Sequence, residues 1–214
     1  MQVLVTGANR GIGAALVAAY RARGDAAIGT ARRPGGGLLP LDVTDPASVR
    51  ALAAALTGRP LDLLVCNAGV YLDKGQSLES GYPAELWAAG FAANVTGVFL
   101  TVQALLPNLR AAKGKIAIIS SAMASDQRAP GGSYVYRASK AAALNLGRNL
   151  AADLSGDGIA VGIYHPGWVK TEMGGGGADI EVEASAAGLL ARFDALSPAT
   201  TGAFEDWRGK ALAF

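Results

Sequence analysis

The chain has 214 residues, enough for one sizeable core, and no charged or proline-rich linker divides it, so a single domain over residues 1–214 is expected. Only 17% of residues are charged and the formal net charge is +2, without lysine or arginine runs, which argues against a nucleic-acid surface. Cys66 is the only cysteine, which excludes an intramolecular disulfide and a cysteine metal cluster.

Short apolar runs alternate with longer alanine- and leucine-rich segments of helical period. This pattern predicts an α/β fold, a Rossmann-like doubly wound parallel sheet with helices on both faces. Seven strands are predicted, in chain order Gln2 to Thr6, Ala26 to Thr30, Leu38 to Leu41, Leu61 to Cys66, Lys115 to Ser120, Ile159 to Tyr164 and near Gly202 to Phe204. The helices between them are predicted at about Ile12 to Arg23, Pro46 to Thr57, Pro83 to Leu109, Tyr134 to Leu154 and Glu181 to Leu196.

The first strand leads directly into a glycine motif, so no signal peptide is expected, and no apolar run is expected to reach membrane-spanning length. The sequence therefore predicts a cytoplasmic protein that contacts neither membrane nor nucleic acid. Because the strand carboxyl ends of a parallel sheet share one edge, a ligand is expected along that edge.

The glycine motif "TGANRGIG" lies between the first strand and the first helix. Gly7, Gly11 and Gly13 allow a sharp turn and a close approach of backbone to a pyrophosphate, and the helix N-terminus supplies amide donors. Asn9, Arg10 and Ile12 fill the same loop. The motif predicts a dinucleotide site.

The end of the second strand bears on the choice of cofactor. An acidic residue there would bind the ribose hydroxyls of NAD, whereas arginine would accept the extra phosphate of NADP. The sequence has Arg32 and Arg33 at that position, while Asp25 precedes the strand and lies at the opposite edge. NADP(H) is therefore favoured over NAD(H), with Arg32 as phosphate ligand and Arg10 as a second cation, although two solvated arginines are the alternative.

Two tyrosines occur in "SYVYRASK", residues 133 to 140, and one of them is a candidate acid. Reducing a carbonyl requires a hydride donor and a proton donor near the oxygen. Residues i and i+4 share a helix face, so Tyr136 lies beside Lys140, whereas Tyr134 faces elsewhere. The charge of Lys140, helped by the positive nicotinamide of the oxidised cofactor, would lower the pKa of Tyr136. Tyr136 is the predicted acid, and Tyr134 is left with a packing role.

Six motifs stand in the order found in short-chain dehydrogenases/reductases, which this chain resembles over essentially its whole length. They are "TGANRGIG", "CNAG" at 66 to 69, Asn94 in "FAANVTGVF", "IISS" at 118 to 121, "YRASK" at 136 to 140 and "HPGWVKTEM" at 165 to 173. Within the family, the chain looks most like the C-factor and Sniffer-type carbonyl reductase branch.

The resemblance implies roles for residues that spacing alone does not assign. Ser121 would bind the carbonyl oxygen, with Ser120 as a strand-end hydrogen bonder, and Asn94 would distort its helix and position a water that relays protons to Lys140. The remaining implied cofactor contacts are Asp42, Val43, Asn67, Ala68, Gly69, Pro166, Gly167, Val169 and Thr171, together with Tyr136 and Lys140. No metal site is predicted, and His165 is interpreted as a turn histidine with a structural hydrogen bond.

The segment after Thr171 is short, and residues 172–180 contain four successive glycines, which predicts a flexible loop rather than a helical lid. An open, shallow substrate site is expected, lined by Ser121, Tyr71, Met123, Trp168 and Met173. The substrate is predicted to be a small carbonyl or alcohol.

These observations predict an NADPH-dependent ketone or aldehyde reductase. A non-catalytic NADP(H)-binding sensor or signalling protein and an NAD-linked alcohol dehydrogenase are the alternatives. The resemblance further implies a homodimer or homotetramer, formed through the helices that carry Asn94 and Tyr136.

Overall fold

The computed structural model describes residues 1–214 and contains seven strands that join into one sheet. The strands are β1 (Gln2–Val5), β2 (Ala26–Ala31), β3 (Leu39–Pro40), β4 (Leu63–Cys66), β5 (Lys115–Ile119), β6 (Ala160–His165) and β7 (Phe204–Asp206). Their spatial order is β3-β2-β1-β4-β5-β6-β7, and every neighbouring pair is parallel. The predicted α/β class and the number of strands are confirmed.

The connecting segments contain six α-helices. These are α1 (Gly11–Ala22), α2 (Pro46–Ala55), α3 (Ala84–Phe91), α4 (Gly97–Ala112), α5 (Tyr134–Leu154) and α6 (Val182–Ala195). Asp45 caps α2 by accepting a hydrogen bond from the Ala47 amide at 2.9 Å, and Pro46 occupies the first helical position.

The sheet has a hydrophobic core on each face, because successive side chains of a strand point in opposite directions. In β1, Val3 and Val5 pack with residues of α1 and α6 on one face. Leu4, between them, packs with residues of α2, α4 and α5 on the other. This double coverage explains why the strands are apolar throughout rather than alternating.

The predicted single helix from Pro83 to Leu109 is wrong in its middle, where a π-helical turn (Ala92–Thr96) separates α3 from α4. The combined segment Ala84–Ala112 has 29 residues and is long and apolar enough to span a membrane, so the expectation that no run reaches that length is also wrong. Within the fold, its apolar side chains Val98, Val102 and Leu105 belong to the core.

Every strand differs from its predicted range by at least one residue, and β3, β4 and β7 are the clearest cases. β3 has two residues instead of four, and β4 begins at Leu63 because the Leu61 amide donates to the carbonyl of Asn108 instead of to a strand. β7 begins at Phe204 because Gly202 adopts a left-handed conformation (φ 82°), which ends the preceding turn.

The topology creates a crevice at the carboxyl edge of the sheet. Strands β2 and β3 lie on one side of β1, and the next strand along the chain, β4, lies on its other side. Loops that leave β1 and β4 therefore separate at this point, which is where ligands bind in sheets of this kind.

Candidate active site

The loop after β1 has the close backbone contacts that the glycine motif predicts. Gly7 is left-handed (φ 67°), and a side-chain carbon there would lie 2.9 Å from the Cα of Ala68. A side-chain carbon at Gly13 would lie 2.3 Å from the carbonyl oxygen of Gly7. Gly11 is also left-handed, at φ 55°. The turn brings the exposed Asn9 and the partly buried Ile12 to the N-terminus of α1.

Asn67 joins the ends of β1 and β4 at the base of the crevice. Its side-chain amide donates to the carbonyl oxygens of Thr6 (2.9 Å) and Gly7 (3.1 Å). The hydroxyl of Thr6, which sequence reasoning missed, accepts from the amides of Asn67 and Ala68, both at 3.0 Å. These bonds fix the glycine loop against the "CNAG" segment.

The outer end of the crevice carries charge. The Asp42 carboxylate accepts hydrogen bonds from the hydroxyl and amide of Thr44, which lower its pKa, and the nearby positive charge of Arg32 contributes. Arg32 is exposed directly after β2, and Val43 borders α4 at Gly97. Arg10 forms an ion pair with Glu172 of the 172–180 segment, so it is turned toward that segment.

The segment after β6 forms the opposite wall. Gly167 is left-handed (φ 89°) and follows Pro166, Val169 pairs with Ile180 in a short parallel bridge, and the Thr171 methyl group lies against Gly11. The close contacts at Gly7, Gly11 and Gly13 therefore leave no room for side chains at these positions of the glycine loop. Polar groups lie at both ends of this loop. These residues fit a dinucleotide that lies along the carboxyl edge.

Tyr136 and Lys140 share the inward face of α5, whereas Tyr134 does not. The Lys140 ammonium lies 5.7 Å from the centre of the Tyr136 ring and donates to the carbonyl of Ile119 at 2.9 Å. Tyr134 is 36% exposed and packs edge-on against Tyr82. The structure thus separates the two tyrosines as helical spacing predicts.

In the protein without cofactor the Tyr136 pKa is raised, and the lowering by Lys140 together with oxidised nicotinamide stays a prediction. Burial raises the Tyr136 pKa to about 12, and a hydrogen bond with Ser121 opposes this only in part. Burial also lowers the pKa of Lys140 from 10.5 to about 8. Burial is therefore the main cause of both shifts, and Tyr136 is kept protonated.

The two serines at the end of β5 have different partners. The Ser121 hydroxyl accepts a hydrogen bond from the Met123 amide at 3.1 Å and caps a single 3-10 turn, Ala122–Ala124. The Ser120 hydroxyl donates to the carbonyl of Lys140 at 2.9 Å, which ties β5 to α5. Ser121 is thus the serine next to Tyr136, and Ser120 is the strand-end hydrogen bonder that the sequence predicts.

Asn94 is buried in the π-helical turn, with 1% of its surface exposed. Its side chain accepts from the Val70 amide (2.8 Å) and donates to the Val70 carbonyl and the Ser139 hydroxyl (both 2.9 Å). A side-chain carbon at Gly69 would lie 3.0 Å from Asn94 and 3.3 Å from the Lys140 nitrogen. Asn94 therefore joins the segment after β4 to α5.

Asp73 is a second buried polar residue here, and sequence reasoning missed it. It is 1% exposed, and its carboxylate accepts from the backbone amides of Val135 (2.8 Å) and Tyr136 (3.2 Å). The two amides belong to the first turn of α5. No sequence signal marks this contact, since it joins positions 62 residues apart.

The predicted substrate residues are only partly brought together. Tyr71 stacks on Tyr136, with ring centres 4.3 Å apart, and Met123 adjoins Ser121. Trp168 and Met173 are 53% and 42% exposed. A separate cavity of about 320 Å³ lies between the loop after Ser121 and the C-terminal segment, and no catalytic candidate lines it.

The 172–180 segment forms turns rather than a helix, but it is less free than its glycines suggest. The amides of Gly174 and Gly175 donate to the Thr171 hydroxyl and carbonyl, and the Trp168 indole donates to the Gly174 carbonyl. At its base, the Lys170 amide donates to the Ile180 carbonyl, and the Ile180 amide donates to the Trp168 carbonyl. Glycine spacing predicts freedom of the backbone but not these closing contacts.

His165 ends β6, and the structural hydrogen bond predicted for its side chain is absent. The Nδ1 atom is buried without a partner, and burial lowers the pKa of the ring to about 4. His165 is therefore neutral at physiological pH. No group of histidine, cysteine or acidic side chains in the chain is arranged to bind a metal ion.

The crevice, the glycine loop and the serine-tyrosine-lysine cluster together define a dinucleotide-dependent oxidoreductase. The model of the short chain dehydrogenase family matches residues 1–179. The chain belongs to this family and is an NAD(P)-dependent oxidoreductase.

Curated relatives and solved structures agree with this assignment. The chain is 36% identical to 1-hydroxy-2-glutathionyl-2-methyl-3-butene dehydrogenase of Rhodococcus sp. (strain AD45), covering 98% of each, and 35% identical to C-signal of Myxococcus xanthus, covering 75% of this chain and 97% of that protein. It is similar to an NADPH-bound carbonyl reductase from chicken fatty liver (TM-score 0.91, 34% identity, 100% and 98% covered). It is also similar to the carbonyl reductase Sniffer of D. melanogaster (TM-score 0.93, 26% identity, 100% and 99% covered). The resemblance to the C-factor and Sniffer-type branch is confirmed.

Proposed function

We propose that this chain is an NADPH-dependent carbonyl reductase in which Tyr136 is the catalytic acid. The observation that carries the proposal is that Tyr136 and Lys140 of α5 meet Ser121 of the turn after β5. They meet at the carboxyl edge, where the segment that packs on Gly7 also contacts Lys140. A protonated phenol next to a serine hydroxyl is what a developing alkoxide requires.

Each residue has a distinct task in the proposed mechanism. NADPH supplies the hydride when it is bound. Ser121 donates a hydrogen bond to the carbonyl oxygen and orients it, and Tyr136 transfers its proton to that oxygen as negative charge develops. Lys140 places a positive charge near the resulting phenolate and binds the nicotinamide ribose. Asn94 keeps its own helix in the distorted shape that positions a water, and this water relays protons to Lys140.

The preference for NADP(H) is supported by charge at the outer end of the crevice. Arg32 follows β2, where an acidic residue would otherwise bind ribose hydroxyls, and Arg10 lies in the glycine loop. The similar chicken reductase is NADPH-bound. Gly7, Gly11, Gly13 and the remaining predicted contacts would hold the dinucleotide along the same edge.

The substrate is proposed to be a small carbonyl compound or the matching alcohol. Tyr71 and Met123 would line its site, with Trp168 and Met173 at the mouth. Because a similar Rhodococcus enzyme is named for a glutathionyl alcohol, a glutathione-conjugated carbonyl belongs in the substrate panel. The chain is further proposed to act as one cytoplasmic domain that forms a homodimer or homotetramer.

The experiment is a comparison of Tyr136→Phe with the matched variant Tyr134→Phe. NADPH oxidation is followed with a panel of ketones and aldehydes, and NADPH and NADH binding are titrated in parallel. Loss of the acid should reduce kcat by about 100- to 10,000-fold while NADPH binding is kept. Tyr134→Phe, two residues away but on another face, should retain activity.

Two rivals give different results in the same experiment. A sensor or signalling protein, which the similarity to C-signal raises, would bind NADPH but turn over no carbonyl compound. An NAD-linked alcohol dehydrogenase would bind NADH more tightly than NADPH. Retained turnover in Tyr136→Phe would refute the assignment of the acid.

A further inference from the structure

The N-terminus of α5 lacks a cap from its own chain segment. Ser133, at the N-cap position, is left-handed (φ 51°) and makes no capping hydrogen bond with its side chain. The first turn of a helix exposes amides without intrahelical partners, and the helix dipole places partial positive charge there. A helix that must hold a reacting side chain within this first turn therefore needs an acceptor from elsewhere.

Asp73 supplies that acceptor from the segment after β4. The carboxylate is 1% exposed, and it takes the Val135 amide at 2.8 Å and the Tyr136 amide at 3.2 and 3.4 Å from its two oxygens. It has no lysine, arginine or histidine partner. Burying a carboxylate costs free energy unless hydrogen bonds replace those it made with water, and the two backbone amides supply these bonds.

The same segment holds the Tyr136 side chain as well as its backbone. Tyr71, two residues before Asp73, stacks on the Tyr136 ring at 4.3 Å, and its hydroxyl is hydrogen-bonded to Ser133. One segment thus fixes the backbone, the ring plane and the residue before the helix. The phenol can then rotate little relative to Ser121 in the turn after β5.

We propose that Asp73 is a positioning residue that sets Tyr136 for proton transfer by holding the first turn of α5. This rests on the proposed role of Tyr136 as the acid. Asp73 does not touch the reacting atoms, so it acts only through the placement of that turn.

The test compares Asp73→Ala and Asp73→Asn with Asp45→Ala, which removes an N-cap from α2, away from the catalytic helix. A misplacement near 1 Å costs about 100-fold in rate, so Asp73→Ala should lose kcat on that order with little change in KM for NADPH. Asp73→Asn keeps one acceptor oxygen and should lose less. Asp45→Ala should lose stability alone, about 1 kcal/mol.

The second readout is the isotope effect on kcat with NADPH deuterated at the transferred position. A population of unfolded enzyme lowers kcat without changing this effect, whereas a misplaced acid slows the chemical step and increases it. If Asp73→Ala does not fold, Asp73→Asn decides the question. A folded Asp73 variant with wild-type kcat and isotope effect would overturn the inference.

Failure of the wider assignment gives a different pattern. If Tyr136→Phe retains turnover, the acid has been misassigned and the proposed role of Asp73 falls with it. If Tyr136→Phe is inactive and both Asp73 variants turn over normally, only the positioning role is refuted.

Discussion

Lys140 is the residue in which folding and function conflict most directly. Lys140 as a whole is 5% exposed, and its ammonium donates to the Ile119 carbonyl and forms no ion pair with an acidic residue. Burial therefore destabilises the charged form and lowers the pKa to about 8. The fold keeps this lysine where it can act on Tyr136, at a cost in stability when it is charged.

This cost predicts a dependence of stability on pH that Lys140→Met should remove. Between about pH 8 and pH 10.5, the unfolded chain binds more protons at this lysine than the folded chain, so its contribution to the free energy of unfolding rises with pH. The gain over this window is about 3 kcal/mol at most. Below pH 8 both states are charged and the full penalty remains.

The measurement is urea unfolding of wild type and Lys140→Met without cofactor, at several pH values across this window. The tyrosines and Cys66 of the unfolded chain also titrate within this window, but they occur in both proteins and cancel in the difference. The wild type should gain stability relative to the variant as the pH rises. Parallel curves would show that Lys140 is not a desolvated charge.

Residue-level prediction from sequence succeeded where one helix sets the geometry. Tyr136 and Lys140 could be paired from the sequence because residues four positions apart on a helix lie on the same face. Asp73 could not be found in this way, because its contact with α5 depends on how the segment after β4 packs against the helix. The burial that raises the Tyr136 pKa could not be predicted for a related reason, because burial is a property of the assembled fold and not of the motif.

At the scale of elements, α5 packs on the sheet through a glycine. A side-chain carbon at Gly147 would lie 2.6 Å from Ile163 of β6. Gly147→Ala must therefore displace the helix or the isoleucine, and a loss of stability of about 1 to 3 kcal/mol is expected, as for other overpacked cores. Thermal or urea unfolding measures this loss.

Gly156→Ala is the matched control for this packing. It follows the same helix, no atom lies within 4 Å of the added carbon, and its backbone is not left-handed. The added methyl group should leave stability unchanged or raise it by about 0.4 to 1 kcal/mol through the unfolded state. Equal effects of the two variants would mean that α5 does not pack this closely on β6.

Strands and helices with a clear hydrophobic pattern were predicted well, whereas an interruption within a helix was not. Apolar runs located all seven strands because both faces of the sheet are buried. The π-helical turn at Ala92–Thr96 was hidden, because one extra residue in a turn does not change the composition of a long apolar helix. Asn94 signalled the position only through the family resemblance.

At the scale of the whole molecule, loops at the carboxyl edge of the sheet form the candidate active site, and apolar side chains are exposed on the helices. Trp87 of α3 and Phe99 of α4 are 36% and 40% exposed. Gly90 of α3 would touch Val135 of α5 if it carried a side chain, so α3 is packed closely on the catalytic helix. Single exposed apolar residues are common, but these lie on the helices that the family resemblance assigns to a subunit interface.

If this surface joins two copies of the chain, a charge placed in it should separate them. Phe99→Glu would bury a carboxylate without a partner in the proposed interface, and a charge so placed costs several kcal/mol. The wild type should run as a dimer or tetramer in sedimentation or light scattering, and Phe99→Glu should shift toward the monomer.

Leu78→Glu, at a site 72% exposed in a loop, should leave the assembly unchanged. A monomeric wild type, or an equal shift in both variants, would contradict an interface on α4. Because Asn94 and Tyr136 lie on helices of the same layer, kcat of the dissociated variant would then show whether the site depends on assembly.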